Sequence, residues 1–478
     1  MSDLPTVAVA GATGFVGHAL REALRGRYRI VGLTRSPVRA KALEKDPDVE
    51  WRYCDLFSLA EVERALEGID YAFYLVHSMM PSARLVQADF EDLDLILADN
   101  FARAARLNRV RQVLYLGGII PPQGTLSRHL RSRLEVEQTL MDNHPSVTAL
   151  RAGLIVGRGG SSFSMLINLV RRLPVMLLPS WTRSESQPIA IQDVMRACVF
   201  CIGQKGTFGK HFDIGGPEVM TYRSMLSRTA AVLGVKRPML NTPLVSEEVS
   251  KGWVSLITGA SMELATPLVE SLRHRMVVSD NLVQREISEG LVDFESSLRE
   301  SLEESGEPAP NPRRALIPKE RSVMKRARSV RSVQRLPLPD KRDASWVARE
   351  YVRWLPGFVW PFLRCETNED GVCGFFVRGT RFKLLELTLS AERSYKGRDL
   401  FYITGGFLLR RGSLRGRFEF REVLHRRYIL AAIHDFTPTL PWHIYNLTQA
   451  VAHIWVMRGF GRYLSRLDQN KRPELLTD

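Results

Sequence analysis

Between Thr6 and about Gly216, short apolar runs alternate with amphipathic helical stretches, and this alternation restricts the fold more than any other feature of the chain. Runs at Val7–Ala10, Ile30–Leu33, Val49–Tyr53, Ala72–Val76, Val113–Leu116 and Val147–Val156 read as strands. Most are apolar at successive positions, the pattern of strands covered on both faces. Helical stretches at Phe15–Leu24, Leu59–Leu66 and Asp89–Leu107 separate them, and Val16, Ala19, Leu20, Ala23 and Leu24 share one face of the first. Strands joined by right-handed helical crossovers make a parallel, doubly wound α/β sheet.

Directly after the first strand stands Ala10-Gly11-Ala12-Thr13-Gly14-Phe15-Val16-Gly17. Gly11 permits a tight turn, Gly14 lets main chain approach a diphosphate, and Gly17 lets the helix lie close to the sheet. The amides opening the helix meet the phosphate charge. Placed between a strand and a helix, the motif predicts a Rossmann-type nucleotide site that includes Thr13, Phe15 and Val16. The second strand ends Thr34-Arg35-Ser36-Pro37-Val38-Arg39, without the acidic residue that would bind the ribose hydroxyls of NAD. Arg35 and Ser36 suit a 2′-phosphate, so NADP(H) is expected over NAD(H). Asp55, with Leu56 after the third strand, is open to two readings: accepting from an adenine amino group, or capping the following helix.

Beyond the sheet the chain divides further. Residues 1–217 read as the nucleotide domain and 218–304 as a smaller, mainly helical substrate lobe. Residues 305–342 read as a linker with prolines and a basic block: Arg313, Arg314, Lys319, Arg321, Lys325, Arg326, Arg328, Arg331, Arg335, Lys341 and Arg342. Residues 343–478 read as an α+β domain, with strands at Gly374–Val377, Phe382–Ser390, Leu400–Leu409 and Arg417–Ile433 ahead of a helical tail, Trp442–Leu467. Five cysteines in 478 residues exclude a disulfide scaffold. Cys198 and Cys201 read as helix packing, and no metal-ligand spacing is present. No secretory signal and no uninterrupted membrane span are visible.

Residues 1–300 resemble the atypical, NmrA-like, extended short-chain dehydrogenase/reductases. The resemblance rests on GATGFVG, LTRSP, Cys54-Asp55-Leu56 and Tyr74-Leu75-Val76-His77-Ser78-Met79, then on Leu150-Arg151-Ala152-Gly153, Gln187-Pro188-Ile189-Ala190-Ile191-Gln192-Asp193 and Phe212-Asp213-Ile214-Gly215-Gly216-Pro217. It implies cofactor contacts at Leu56, Val76 and His77. It also implies a Tyr-x-x-x-Lys pair, but here His129 stands for the Tyr and Arg133 for the Lys, with Gly117-Gly118 in place of the serine region. Arg133 can still hold a ribose, while the proton relay is altered. The C-terminal domain resembles the helix-grip or START-like class, in which Trp442, Tyr445, Trp455, Met457 and Phe460 either line a cavity or fill a core.

The resulting expectation is an NADP(H)-dependent oxidoreductase acting on a hydrophobic carbonyl, enone or quinone-like compound, with His129 and Arg133 as catalytic candidates. A nucleotide-responsive binding protein without turnover is the second reading. The third is a membrane-associated lipid-handling or assembly factor. A net charge of +15, the basic block and Arg458, Arg462 and Arg466 suit an anionic membrane surface. Nucleic acid is not an expected partner. The location implied is cytoplasmic, peripheral to the inner face of the membrane.

Overall fold

The apolar runs of the first half become strands of one parallel sheet. The computed structural model describes residues 4–43, 46–77, 85–122, 124–241, 270–302, 329–369, 371–413 and 415–469. Strands β1 (Thr6–Ala10), β2 (Arg29–Thr34), β3 (Val49–Tyr53), β4 (Tyr71–Tyr74), β6 (Gln112–Gly118), β7 (Val147–Ala152) and β12 (Lys210–Ile214) lie in the order β12-β7-β6-β4-β1-β2-β3, all parallel. Strand β5 (Leu85–Gln87) belongs to the second unit. The order reverses between β1 and β4, which opens a crevice at their carboxyl ends.

Among the described residues the α-helices of this unit are α1 (Phe15–Leu24), α2 (Pro37–Leu43), α3 (Leu59–Ala65), α4 (Phe90–Leu107, its first four residues in the second unit), α5 (Arg128–Asn143), α6 (Ser161–Arg172), α7 (Ile191–Cys201), α8 (Tyr222–Val232), α9 (Leu282–Ile287) and α10 (Phe294–Ser301). Helices α1 and α7 cover one face through Leu20, Leu24, Val194, Ala197, Cys198 and Cys201, packed with Val7, Val9, Phe73 and Leu150. Cys198 and Cys201 are therefore buried in a helix, as their apolar surroundings predict, and burial pushes both thiols up. The described part of 218–304 is helical in the main. Val283 and Ile287 of α9 join that core, whereas Phe294 and Leu298 of α10 join a second one with Phe163, Ile167 and Met225.

The long run Val147–Val156 is not one strand. Gly153 lies where an added Cβ would sit 3.4 Å from Ser186 Oγ, and the chain leaves the sheet there. It continues as β8 (Ile155–Val156), paired with β11 (Ile189–Ala190). Two further ribbons pair β9 (Met176–Leu178) with β14 (Met239–Asn241) and β10 (Glu185–Ser186) with β13 (Met220–Thr221).

The second unit comprises the described residues of 80–93 and 321–478. Its sheet runs β16-β17-β18-β19-β20-β21-β15-β5, from β5 (Leu85–Gln87), β15 (Val330–Pro337), β16 (Leu363–Thr367), β17 (Val372–Val377), β18 (Lys383–Leu389), β19 (Arg398–Gly405), β20 (Arg417–Val423) and β21 (Tyr428–Phe436). Pairing is antiparallel except between β15 and β5. Helices α11 (Ala344–Phe358), α12 (Trp442–Leu447) and α13 (Gln449–Gln469) complete the unit.

Two expectations change here, and one open reading is decided. The run Arg417–Ile433 is a hairpin, because Leu424, His425 and Arg426 take φ of 53°, 55° and 62° and turn the chain. The segment 305–342 contains strand β15. Arg331 is 2% exposed and pairs with Asp435 at 3.6 Å, while Arg335 meets Asp92 at 2.7 Å, so these charges are not solvated. Residues 305–328, with the rest of the basic block up to Arg328, lie outside the described residues. Finally, Tyr445, Met457 and Phe460 fill a core instead of lining a cavity. Phe460 packs on Tyr351 (5.2 Å between centroids) and Trp354 (5.1 Å), and Tyr351 packs in turn on Phe418 and Phe420. Trp442 is partly buried and Trp455 is exposed.

Phe418 and Phe420 point toward α11 and α13, so Glu419 and Arg421 point to the opposite face of the sheet. There Glu419 accepts from Arg398 Nε, Arg421 Nη2 (3.0 Å) and His434 Nε2 (3.0 Å), all within the interior. Burial alone would raise its pKa; Arg398, Arg421 and His434 overcome this and hold the carboxylate well below the usual range. Removing the anion leaves two guanidinium groups buried together. Glu419→Gln is expected to cost about 3–5 kcal/mol, read as a lower urea midpoint with an unchanged slope.

Candidate nucleotide and active site

The loop after β1 is shaped by contacts that only glycine tolerates. Gly11 has φ +90°, and a Cβ there would lie 2.8 Å from the Leu75 carbonyl. At Gly17 a Cβ would stand 2.2 Å from the Gly11 carbonyl oxygen and 2.8 Å from Ala12 Cα. Gly14 N–H donates to the Gly11 carbonyl at 2.9 Å and Gly14 caps α1 without any side-chain hydrogen bond. The first turn of α1 carries no acidic side chain, so its amides face outward with their positive end uncompensated. This is a cradle for a diphosphate.

Phe15 and Val16, expected at the cofactor, have structural roles as well. Val16 packs on the core under α1. The Phe15 ring occupies the space above Gly157 and Gly160, where added Cβ atoms would be 2.7 and 3.2 Å from it. Only the fold shows that these glycines make room for Phe15. Thr13 lies half-buried in the turn itself.

The sheet order places the remaining residues side by side. Arg35 and Ser36 follow β2, Asp55 and Leu56 follow β3, and Val76 and His77 follow β4, all at carboxyl ends next to the cradle. Arg35 is exposed. Ser36 Oγ accepts from Arg39 N–H at 3.2 Å, an acceptor role that leaves its O–H able to donate. Arg39 is 4% exposed, a second guanidinium one helical turn on, which the sequence does not distinguish from a surface residue. Asp55 Oδ1 accepts from Phe57 N–H at 3.1 Å, shaping the approach to α3, while the cap position belongs to Ser58. The helix-capping reading of Asp55 therefore moves to this neighbouring turn. Leu56 is buried and its carbonyl accepts from Asn100 Nδ2 at 2.9 Å. Val76 is half-buried and His77 exposed; Ser78 and Met79 lie outside the described residues.

His129 and Arg133 sit one turn apart on α5, whose cap Ser127 accepts from Leu130 N–H at 3.2 Å. Leu130 rests against Gly118 at the end of β6, which brings this turn to the crevice. Burial and the neighbouring charge of Arg133 push His129 down to about 3. The imidazole is neutral near pH 7, so it can share a hydrogen bond but holds no proton for general-acid work. Arg133 anchors this turn through its carbonyl, which accepts from Tyr115 O–H at 3.2 Å. Burial pushes Tyr115 up to about 12, against the opposing effect of the guanidinium. Tyr74 lies within the fields of both Arg133 and Asp94.

The downstream motifs serve the fold. Arg151 forms a two-point buried pair with Glu137 (2.9 and 2.6 Å), Asp193 accepts from Val292 N–H at 2.9 Å, and Gln187 donates to the Gly216 carbonyl at 2.7 Å.

Parts of the chain are similar to known proteins. The model of the NAD dependent epimerase/dehydratase family matches residues 7–130. Auxiliary protein GraX of Staphylococcus aureus is 34% identical over 124 residues, 26% of this chain and 40% of that protein, so the match spans well under half of its length. Among solved structures, Citrobacter sp. triphenylmethane reductase complexed with NADP(H) aligns at 15% identity and TM-score 0.48, covering 62% of this chain and 100% of the other. Escherichia coli NADPH-dependent quinone oxidoreductase complexed with NADPH aligns at 19% identity and TM-score 0.44, covering 64% and 95%.

Because Gly17 seats α1 against the Gly11 carbonyl, Gly17→Ala is expected to weaken NADPH binding by about tenfold or more in a calorimetric titration, equivalent to roughly 1.4 kcal/mol. The glycine cradle and the strand order give this unit a Rossmann-type nucleotide fold, and the epimerase/dehydratase model matches residues 7–130 of it.

Proposed function

We propose that the first unit binds NADP(H) in preference to NAD(H) and reduces an apolar acceptor of the quinone or enone kind. The observation that carries this reading is the donor set after β2. Arg35 is exposed, Arg39 is buried one turn away, Ser36 keeps a donor, and Thr34–Arg39 contains no carboxylate to repel a 2′-phosphate. The cradle of Gly11, Gly14 and Gly17 fits the diphosphate, and Val76, His77 and Arg133 are the candidates for the nicotinamide side.

NADPH, when bound, supplies a hydride. Arg133 keeps its charge at every working pH and suits an oxyanion developing on the acceptor. His129 contributes a neutral hydrogen bond. Neither residue replaces the tyrosine that normally delivers a proton, so the best acceptor is one whose hydride adduct is already a stabilised anion. A quinone takes the hydride as a quinolate, and solvent supplies the proton that completes the hydroquinone. Loss of the Tyr-x-x-x-Lys pair equally suits a nucleotide-responsive binding protein without turnover, and the assays below separate the two.

Arg35→Ala is expected to weaken NADPH binding roughly 10- to 100-fold, the effect of one charge-assisted hydrogen bond, and to leave NADH binding little changed. Equal losses for the two nucleotides would remove the NADP(H) assignment. In NADPH-oxidation assays with quinones and enones, kcat/KM is expected to show no inflection from His129 between pH 6 and pH 9, since its pKa is about 3. His129→Gln should then retain most of the rate. NADPH binding without oxidation across the whole panel would favour the binding-protein reading.

A further inference from the structure

A ring of exposed apolar side chains runs round one end of the second unit, and consecutive contacts trace it. Phe358, closing α11, packs on Trp455 of α13 with centroids 4.4 Å apart. The chain continues through Trp360 and Phe362, which are 67% and 75% exposed. The Phe362 carbonyl accepts from Arg378 N–H at 3.0 Å, and Val377 N–H donates to the Phe382 carbonyl at 3.0 Å. Phe382 meets Phe407 at 5.1 Å. Leu408 then accepts from Thr439 N–H at 3.0 Å, just ahead of α12. Helix α12 exposes Ile444 and Leu447, and α13 exposes Val451 before the ring closes at Trp455.

Positive charge predominates around this ring, where Arg364 pairs with Glu366 and Lys383 with Glu386 at its edge. The segments 351–365, 371–385, 400–418 and 436–467, which build it, contain arginine and lysine but no aspartate or glutamate. Arg378, Arg381, Arg410, Arg411, Arg458 and Arg462 are exposed among the apolar tips. A second copy of the chain would bring like charges together across such a face, at a cost. An anionic bilayer presents the opposite charge, and its interfacial zone accepts aromatic tips at several depths. No described helix is long and apolar enough to cross a membrane, so contact would be peripheral.

We propose that this face docks on an anionic membrane surface, with Trp360, Phe362, Phe382, Phe407 and Trp455 entering the headgroup region while the arginines hold lipid phosphates. The surface lies wholly within the second unit, and the proposal does not depend on the hydride-transfer reading.

The test uses full-length protein with vesicles of phosphatidylcholine alone or mixed with phosphatidylglycerol. The expected result is sedimentation with the mixed vesicles only, weakened by salt, with tryptophan fluorescence quenched by brominated lipid. The double variant Trp360→Ser, Phe362→Ser is expected to lose roughly tenfold or more in vesicle affinity, because two large apolar side chains no longer leave water. Its NADPH affinity should be unchanged, and its thermal midpoint shows that it folds. Failure to bind the mixed vesicles, or equal binding by the double variant, would overturn the proposal. So would a concentration-dependent dimer in sedimentation velocity that Phe362→Ser abolishes, because the face would then belong to a second copy.

Discussion

Main-chain contact between the loop after β1 and the first turn of α1 sets the geometry on which the nucleotide site depends. The Gly11 carbonyl receives the Gly14 amide at 2.9 Å and lies where any side chain at Gly17 would collide. That closeness directs the amide end of α1 to the carboxyl edge of the sheet. The strand order then determines which residues can act together, because β3, β2, β1, β4 and β6 lie side by side with their carboxyl ends aligned. Asp55, Arg35, the glycine cradle, His77 and the turn carrying His129 and Arg133 follow one another across that edge.

Electrostatics at α5 explains why the altered pair is not a simple copy of a tyrosine and a lysine. A fixed guanidinium one turn from a half-buried imidazole disfavours a second positive charge, and desolvation acts in the same direction. In the proposed reaction the pair holds negative charge and proton delivery is left to water. Tyr115 and Arg133 are tied through the backbone carbonyl, which keeps this turn against the end of β6.

The second unit uses its basic residues in two ways. Inside, Arg398 and Arg421 converge on Glu419, and Arg331 pairs with Asp435, so the interior charges are offset by close acids. Outside, the apolar ring carries arginines with no acid in the segments that build it. Among the described residues, the basic excess on this face is therefore exposed.

Much of the first unit was legible because its signals are local. Continuous apolar runs locate β1, β2, β4, β6 and β7, and glycine spacing locates the cradle, since each depends on residues adjacent in the chain. Strand β15 was hidden by the arginines on its own sequence, which look solvated until Asp92 and Asp435 arrive from distant segments. The packing of Phe15 over Gly157 and Gly160 and the interior position of Phe460 are likewise set by neighbours far along the chain. By itself the sequence determined the element order and the phosphate-binding turn, because backbone sterics and periodicity act over a few residues. Only the tertiary structure decided which charges are buried, which aromatics are exposed and which protonation state His129 holds, because burial and long-range pairing exist only once the chain has folded.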